Sequence, residues 1–218
     1  MASLAQSGLK APASLKGQNA RLIWAVVAVD ALALAAFAYP TGIDDGILSA
    51  RSVLKLLGAG VVSVIVLLLT SLLPSDAKAV LVFWRLRDAL PGHRAFTEHA
   101  GADARVNVDA LRRNVGAFPG APKEQNALWY KLFKKVESDP AVAHANKHYL
   151  LFRDLAVLSL VLGIIVAGAL LVMGMAAELA LAAAAFFMVQ YAATAIAARN
   201  EGTALVRNVL ALHSVKRR

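Results

Sequence analysis

Apolar positions gather in four long runs, 22–39, 53–73, 155–175 and 179–198, and polar positions gather at the two ends and between the second and third runs. Each run holds about 18 or more mostly uncharged residues, the length a helix needs to cross the ~30 Å hydrocarbon core of a bilayer. No stretch shows the period-two alternation of a half-buried strand. The pattern predicts an all-α membrane protein with four transmembrane helices arranged as two hairpins (2+2) and a helical insert between them. The chain then divides into a flexible tail (1–20), a first hairpin (21–74), a helical domain (75–153), a second hairpin (154–198) and a basic tail (199–218).

Local signals refine this division. Trp24 and Tyr39 sit at opposite ends of the first run, as interfacial aromatics do. The turn 41–46 carries two glycines and two aspartates, which suit a tight loop. Gly58-Ala59-Gly60 offers a small-residue face for close helix approach in the second run. Pro74-Ser75-Asp76 reads as a helix stop followed by a new start, and 77–89 as a helix with a broad apolar side and Arg85 and Arg87 at the level of lipid headgroups. The Pro91-Gly92 pair predicts a turn, Asn107 or Asp109 caps a short helix, and the breakers in 116–122 precede a helix over 123–137 with Trp129 and Phe133 in its core. Asp139 and Pro140 open a further helix, which passes His144, His148 and Phe152 into the third run without a break. A short turn over 174–178 leads to the fourth run. Beyond it, 201–218 predicts a short amphipathic helix with Leu205, Val209 and Leu212 on one face.

Charge supplies the orientation. The chain has 218 residues, 59% of them apolar, and a net charge of +9. A balance this basic often signals nucleic acid, but acids such as Asp88, Glu98, Asp103, Asp109 and Glu124 interrupt any basic stripe, so no sequence-specific nucleic acid partner is expected. The positive-inside rule accounts for the charge instead. Lys10, Lys16 and Arg21 in the N-terminal tail, the many cations of the insert and Lys216-Arg217-Arg218 all fall on one side of the four runs. The expectation is a bacterial inner-membrane protein with both termini and the insert in the cytoplasm. The first run is too long for a signal-peptide core and contains Asp30. There is no cysteine, hence no disulfide framework and no thiolate metal site.

Candidate chemistry is sparse. Asp30 lies mid-run, where a charge costs about 2.5 kcal/mol or more, so it is expected to face protein or water, as a proton-relay or pore-lining group or as a protonated interhelical hydrogen-bond partner. His144 and His148 stand four residues apart, a spacing that puts two rings on one helical face, and metal binding through them is the basis of a third reading, a metal-dependent membrane enzyme. The reading adopted has no metal and no cofactor. No HExxH, phosphate-binding loop, nucleophile elbow or catalytic dyad is present, and no enzyme is expected. Pro91-Gly92-His93-Arg94-Ala95-Phe96 and the stretch 124–131 are dense in residues that favour recognition, and His93, Arg94, Trp129 and Lys131 are the candidate ligand- or partner-binding residues.

The layout of hairpin, insert opening at Pro74-Ser75-Asp76, hairpin and basic tail, with the character of stretches 84–96 and 125–131, resembles small bacterial four-span effectors that accompany nucleotide-signalling anti-phage systems. The likeness is one of architecture, and no functional residue is carried over from it. It implies a cytosolic signal that promotes assembly or opening, and spans that oligomerise in the lipid bilayer and permeabilise it; the insert's own basic residues suit a protein partner or an anionic ligand such as a nucleotide or a lipid headgroup. The alternative is a membrane scaffold or accessory subunit that anchors a cytosolic partner.

Overall fold

A computed structural model describes residues 15–38, 60–62, 64, 65, 68 and 72–215, with side chains of the first helix from Trp24 to Phe37. The N-terminal tail to residue 14, the turn 41–46, Lys55, Gly58-Ala59 and Lys216-Arg217-Arg218 lie outside the described residues. The described residues include the α-helices α1 (Leu15–Ala38), α2 (Ser75–Phe83), α3 (Val108–Val115), α4 (Pro122–Val136), α5 (Pro140–Val172) and α6 (Ala177–Val215). A 3-10 turn (Pro91–Arg94) runs directly into a π turn (Ala95–His99) between α2 and α3. No strand occurs among the described residues.

The molecule is organised on an antiparallel pair, α5 and α6, of 33 and 39 residues. Both are long and apolar enough to cross a membrane, by length and composition; α1 contributes the shorter apolar stretch Trp24–Phe37. The second expected span, 53–73, is described only at scattered positions. Asp139 starts α5, its side chain accepting from the N–H groups of Ala141 and Val142 at 2.9 and 3.4 Å, with Pro140 at the first helical position. Gly174 closes the pair with φ +73°, a left-handed bend that glycine adopts without steric cost.

Two apolar cores share this pair end to end. In the first, Leu155, Leu158, Leu162, Val166 and Leu170 of α5 meet Ala180, Ala183 and Phe187 of α6, with Val27 and Leu34 of α1. The outer faces of the same segments are bare: Val172 is 90% exposed and Leu181 71%. In the second, Val142 and Tyr149 of α5 and Leu205, Val206, Val209 and Leu210 of α6 pack with Phe83, Phe96, Leu111, Leu132, Phe133 and Val136 of the shorter helices and turns. Gly202 permits this crossing, because a Cβ there would come within 3.0 Å of Phe83 and 3.1 Å of Tyr149. At the seam between the cores, Lys78 of α2 donates to Asp154 at 3.0 Å, and Arg153 donates to the same carboxylate oxygen.

Two local expectations differ. The helix expected over 77–89 ends at Phe83, because Trp84 adopts a left-handed conformation and donates its N–H to the Val80 carbonyl at 2.9 Å. Arg85 and Arg87 therefore lie beyond the helix. Of the stretch expected as a separate amphipathic helix over 201–218, the described residues 201–215 continue α6 without interruption, and Leu205, Val206, Val209 and Leu210 lie in the second core.

Candidate functional site

The two motif-rich stretches of the sequence meet in space. Residues 91–94 form the 3-10 turn and pack on α4 because Gly92 has no side chain: a Cβ there would run into Asn126 and Trp129. The π turn that follows leaves backbone N–H groups of Phe96 and Thr97 pointing at α4, and Gln125 captures both. Its Oε1 accepts from these N–H groups at 3.1 and 3.3 Å and from the Thr97 hydroxyl at 3.3 Å, while its Nε2 donates to the Gly120 carbonyl at 3.1 Å. Gln125 is 1% exposed and its bond to the Phe96 N–H is buried, while those to Thr97 and Gly120 are partly buried.

His93 and Arg94 lie on this turn. Arg94 donates from Nε to Glu98 at 2.8 Å and from Nη1 to the Asp88 carbonyl at 3.1 Å, which commits much of its fork to internal bonds. The His93 Nε2 atom is 3.9 Å from Asp88, and its Nδ1 is buried without a partner. Trp129 stacks on Phe133 with centroids 5.6 Å apart, and its Nε1 is likewise buried without a partner. Lys131 stands apart on the exposed side of α4, next to exposed Tyr130. The structure thus brings His93, Arg94 and Trp129 into one packed junction and leaves Lys131 on the surface.

Beside the junction lies a cleft of about 260 Å³, lined among others by Asp76, Asp88, Leu86, His93 and Lys123. Two carboxylates set against one lysine and one histidine do not favour a polyanion there. A π turn is often a functional insertion, and this one ends in a buried histidine. Burial, reinforced by Arg94 and Arg207, pushes His99 down to about 4, so its ring is neutral near pH 7. Its Nε2 has no partner, nor does the buried Nε of Arg207 on α6. His144 and His148 share a face with ring centroids 4.0 Å apart, edge to face, and burial with the neighbouring His144 lowers the affinity of His148 for a proton. Among the described residues no group of three potential metal ligands converges.

Asp30 is fully buried where α1 meets α6, and its Oδ1 accepts from Gln190 Nε2 at 3.0 Å while Oδ2 has no partner. Gln190 is a polar residue within the fourth apolar run, and no local pattern encodes its pairing with Asp30 across 160 residues. Gln125 is the residue whose importance sequence reasoning missed. Its position in the first turn of α4 resembles a solvated helix start, and only the π turn opposite gives it work inside.

No protein-family model matches the chain, and neither does any curated protein or solved structure.

Proposed function

We propose that the protein is a non-enzymatic, multi-pass protein of the bacterial inner membrane. Its helical domain lies in the cytoplasm with both termini and senses a ligand or partner. Four spans in two hairpins assemble as an oligomer and permeabilise the bilayer, as in the anti-phage effectors whose layout it resembles. One observation carries this reading: α5 and α6 pass unbroken from the domain core into the apolar segment. A shift of the short helices against residues 202–210 would be transmitted along rigid rods, with no hinge to absorb it. The bare aliphatic faces of α5 and α6 support lipid as their surroundings, since a soluble monomer rarely leaves so large an apolar surface in water.

Asp30 and Gln190 supply the polar contact that holds α1 to α6 in the apolar layer. Membrane potential in bacteria expressing the protein from an inducible promoter tests the reading. The expected result is depolarisation on induction, largely lost in Asp30→Asn. An unchanged potential and unchanged growth with the wild-type protein would remove permeabilisation.

The scaffold reading is favoured by a different observation, the exposed pair Tyr130 and Lys131 on the outer side of α4. Lys131→Ala then releases a co-purifying partner without affecting the fold, whereas Trp129→Ala is an unsuitable probe because Trp129 packs in the core.

A further inference from the structure

The link between α2 and the 3-10 turn is bracketed by two left-handed residues that are not glycine, Trp84 with φ 54° and Asp88 with φ 49°. That conformation is unfavourable for a bulky side chain, so surrounding contacts must hold it. At Trp84 they are plain. Its indole Nε1 donates to the Tyr191 hydroxyl at 2.8 Å, and that hydroxyl donates onward to the Leu81 carbonyl at 2.7 Å. The Arg199 guanidinium lies over the ring, 4.4 Å from its centroid. The indole is thus clamped by its edge and one face, yet Trp84 remains 54% exposed. The same bend turns Arg85, Leu86 and Arg87 outward, all three exposed and Leu86 at 90%.

The height of this bend along the long helices gives it meaning. Arg199 ends the apolar run of α6, and Tyr191 lies eight residues inside it, about 12 Å along the axis. On α5 the matching level is Arg153 and Asp154, where α2 is tied down through Lys78. Trp84 and its neighbours therefore lie at the edge of the apolar layer, the level at which tryptophan, tyrosine and arginine collect in membrane proteins.

We propose that residues 84–87 are a built anchor for anionic phospholipid on the face of the bilayer that carries the helical domain. Leu86 and the free face of Trp84 enter the boundary between headgroups and acyl chains, and Arg85 and Arg87 take the headgroup phosphates. The Asp88 carboxylate, which closes this link, lies 3.9 Å from His93 Nε2. A soluble anion would leave Leu86 and Trp84 in water; a phospholipid covers both and neutralises the arginines. The proposal rests on the membrane reading above and adds to it a lipid class and the residues that select it.

The chain contains no cysteine, so a single introduced thiol reports on one position. Full-length Leu86→Cys, Ile164→Cys and Lys131→Cys, each carrying an environment-sensitive fluorophore, are reconstituted in vesicles of phosphatidylcholine with and without phosphatidylglycerol. Nitroxides attached to lipids at shallow and deep positions serve as quenchers. The expected result is shallow quenching at 86, deep quenching at 164 and none at 131. In the same protein, Arg85→Gln/Arg87→Gln reduces the preference for retained phosphatidylglycerol over phosphatidylcholine, read by native mass spectrometry, about fivefold per arginine. A label at 86 as open to water as that at 131, with 164 deeply quenched, overturns the anchor and leaves the membrane reading standing. Water exposure at both 86 and 164 overturns both. Unchanged lipid preference in the arginine variant overturns the headgroup assignment.

Discussion

His99 joins burial, charge and pH in one side chain. Its ordinary value of 6.5 falls to about 4 in the fold, first through burial and then through Arg94 and Arg207, with Glu98 opposing and Arg85 adding to the effect. The unfolded chain takes up this proton near pH 6.5 and the folded chain only near 4, so the unfolded state gains as the pH falls through that window. Stability of the helical domain is therefore complete above pH 6.5 and declines towards pH 4, by up to about 3 kcal/mol from this group. His148, whose proton affinity is also lowered, adds in the same direction. Thermal unfolding of the detergent-solubilised protein as a function of pH checks this. His99→Gln should flatten much of the acid slope, and a slope as steep as wild type would show that other groups produce it. In the sequence His99 was only one of five histidines; that it is buried depends on the π turn folding against α6, which no local pattern encodes.

Elements were legible where their signals are local. Asp139-Pro140 opens α5, Asn107 caps α3 by accepting from Ala110 N–H at 2.9 Å, and the breakers of 116–122 precede α4, all as the residue types imply. The end of α2 was not legible, since Phe83-Trp84-Arg85 contains no breaker. It stops because Tyr191 and Arg199, over a hundred residues away, draw the indole out of helical geometry. The same contrast applies to the candidate site. His93, Arg94 and Trp129 do meet, but Gln125 is what joins their elements. Gln125→Ala strands the buried N–H of Phe96 and opens the partly buried bonds to Thr97 and Gly120, at about 1–3 kcal/mol for such a loss. Chemical denaturation followed by tryptophan fluorescence should show a drop of that size. A loss well below about 1 kcal/mol would mean that these bonds contribute nothing.

At the scale of the whole molecule, periodicity and composition were enough for an all-helical chain with two membrane-length helices at its C-terminal end, because both properties are counted along the sequence. They did not show which residues share the core of the short helices. Residues 199–218 read as a basic tail holding a short amphipathic helix, whose apolar face has no partner that the sequence names. In the fold, Leu205, Val206, Val209 and Leu210 are at most 4% exposed and lie in the middle of the second core. Burying four such side chains contributes about 1.5–3 kcal/mol each, or about 6–12 kcal/mol together, comparable with the entire stability of an ordinary domain. Residues 205–210 thus pack in one core with the short helices of 75–153. Truncation after residue 198 should leave a membrane-inserted protein whose residues 75–153 are cut by trypsin at least tenfold faster than in the full chain. Val209→Asp, a single buried charge in the same core, should reproduce much of that sensitivity with the chain length intact. If the truncated protein resists proteolysis as the full chain does, the core formed by α6 is dispensable, and a signal sensed by the short helices would have no packed path into the apolar segment.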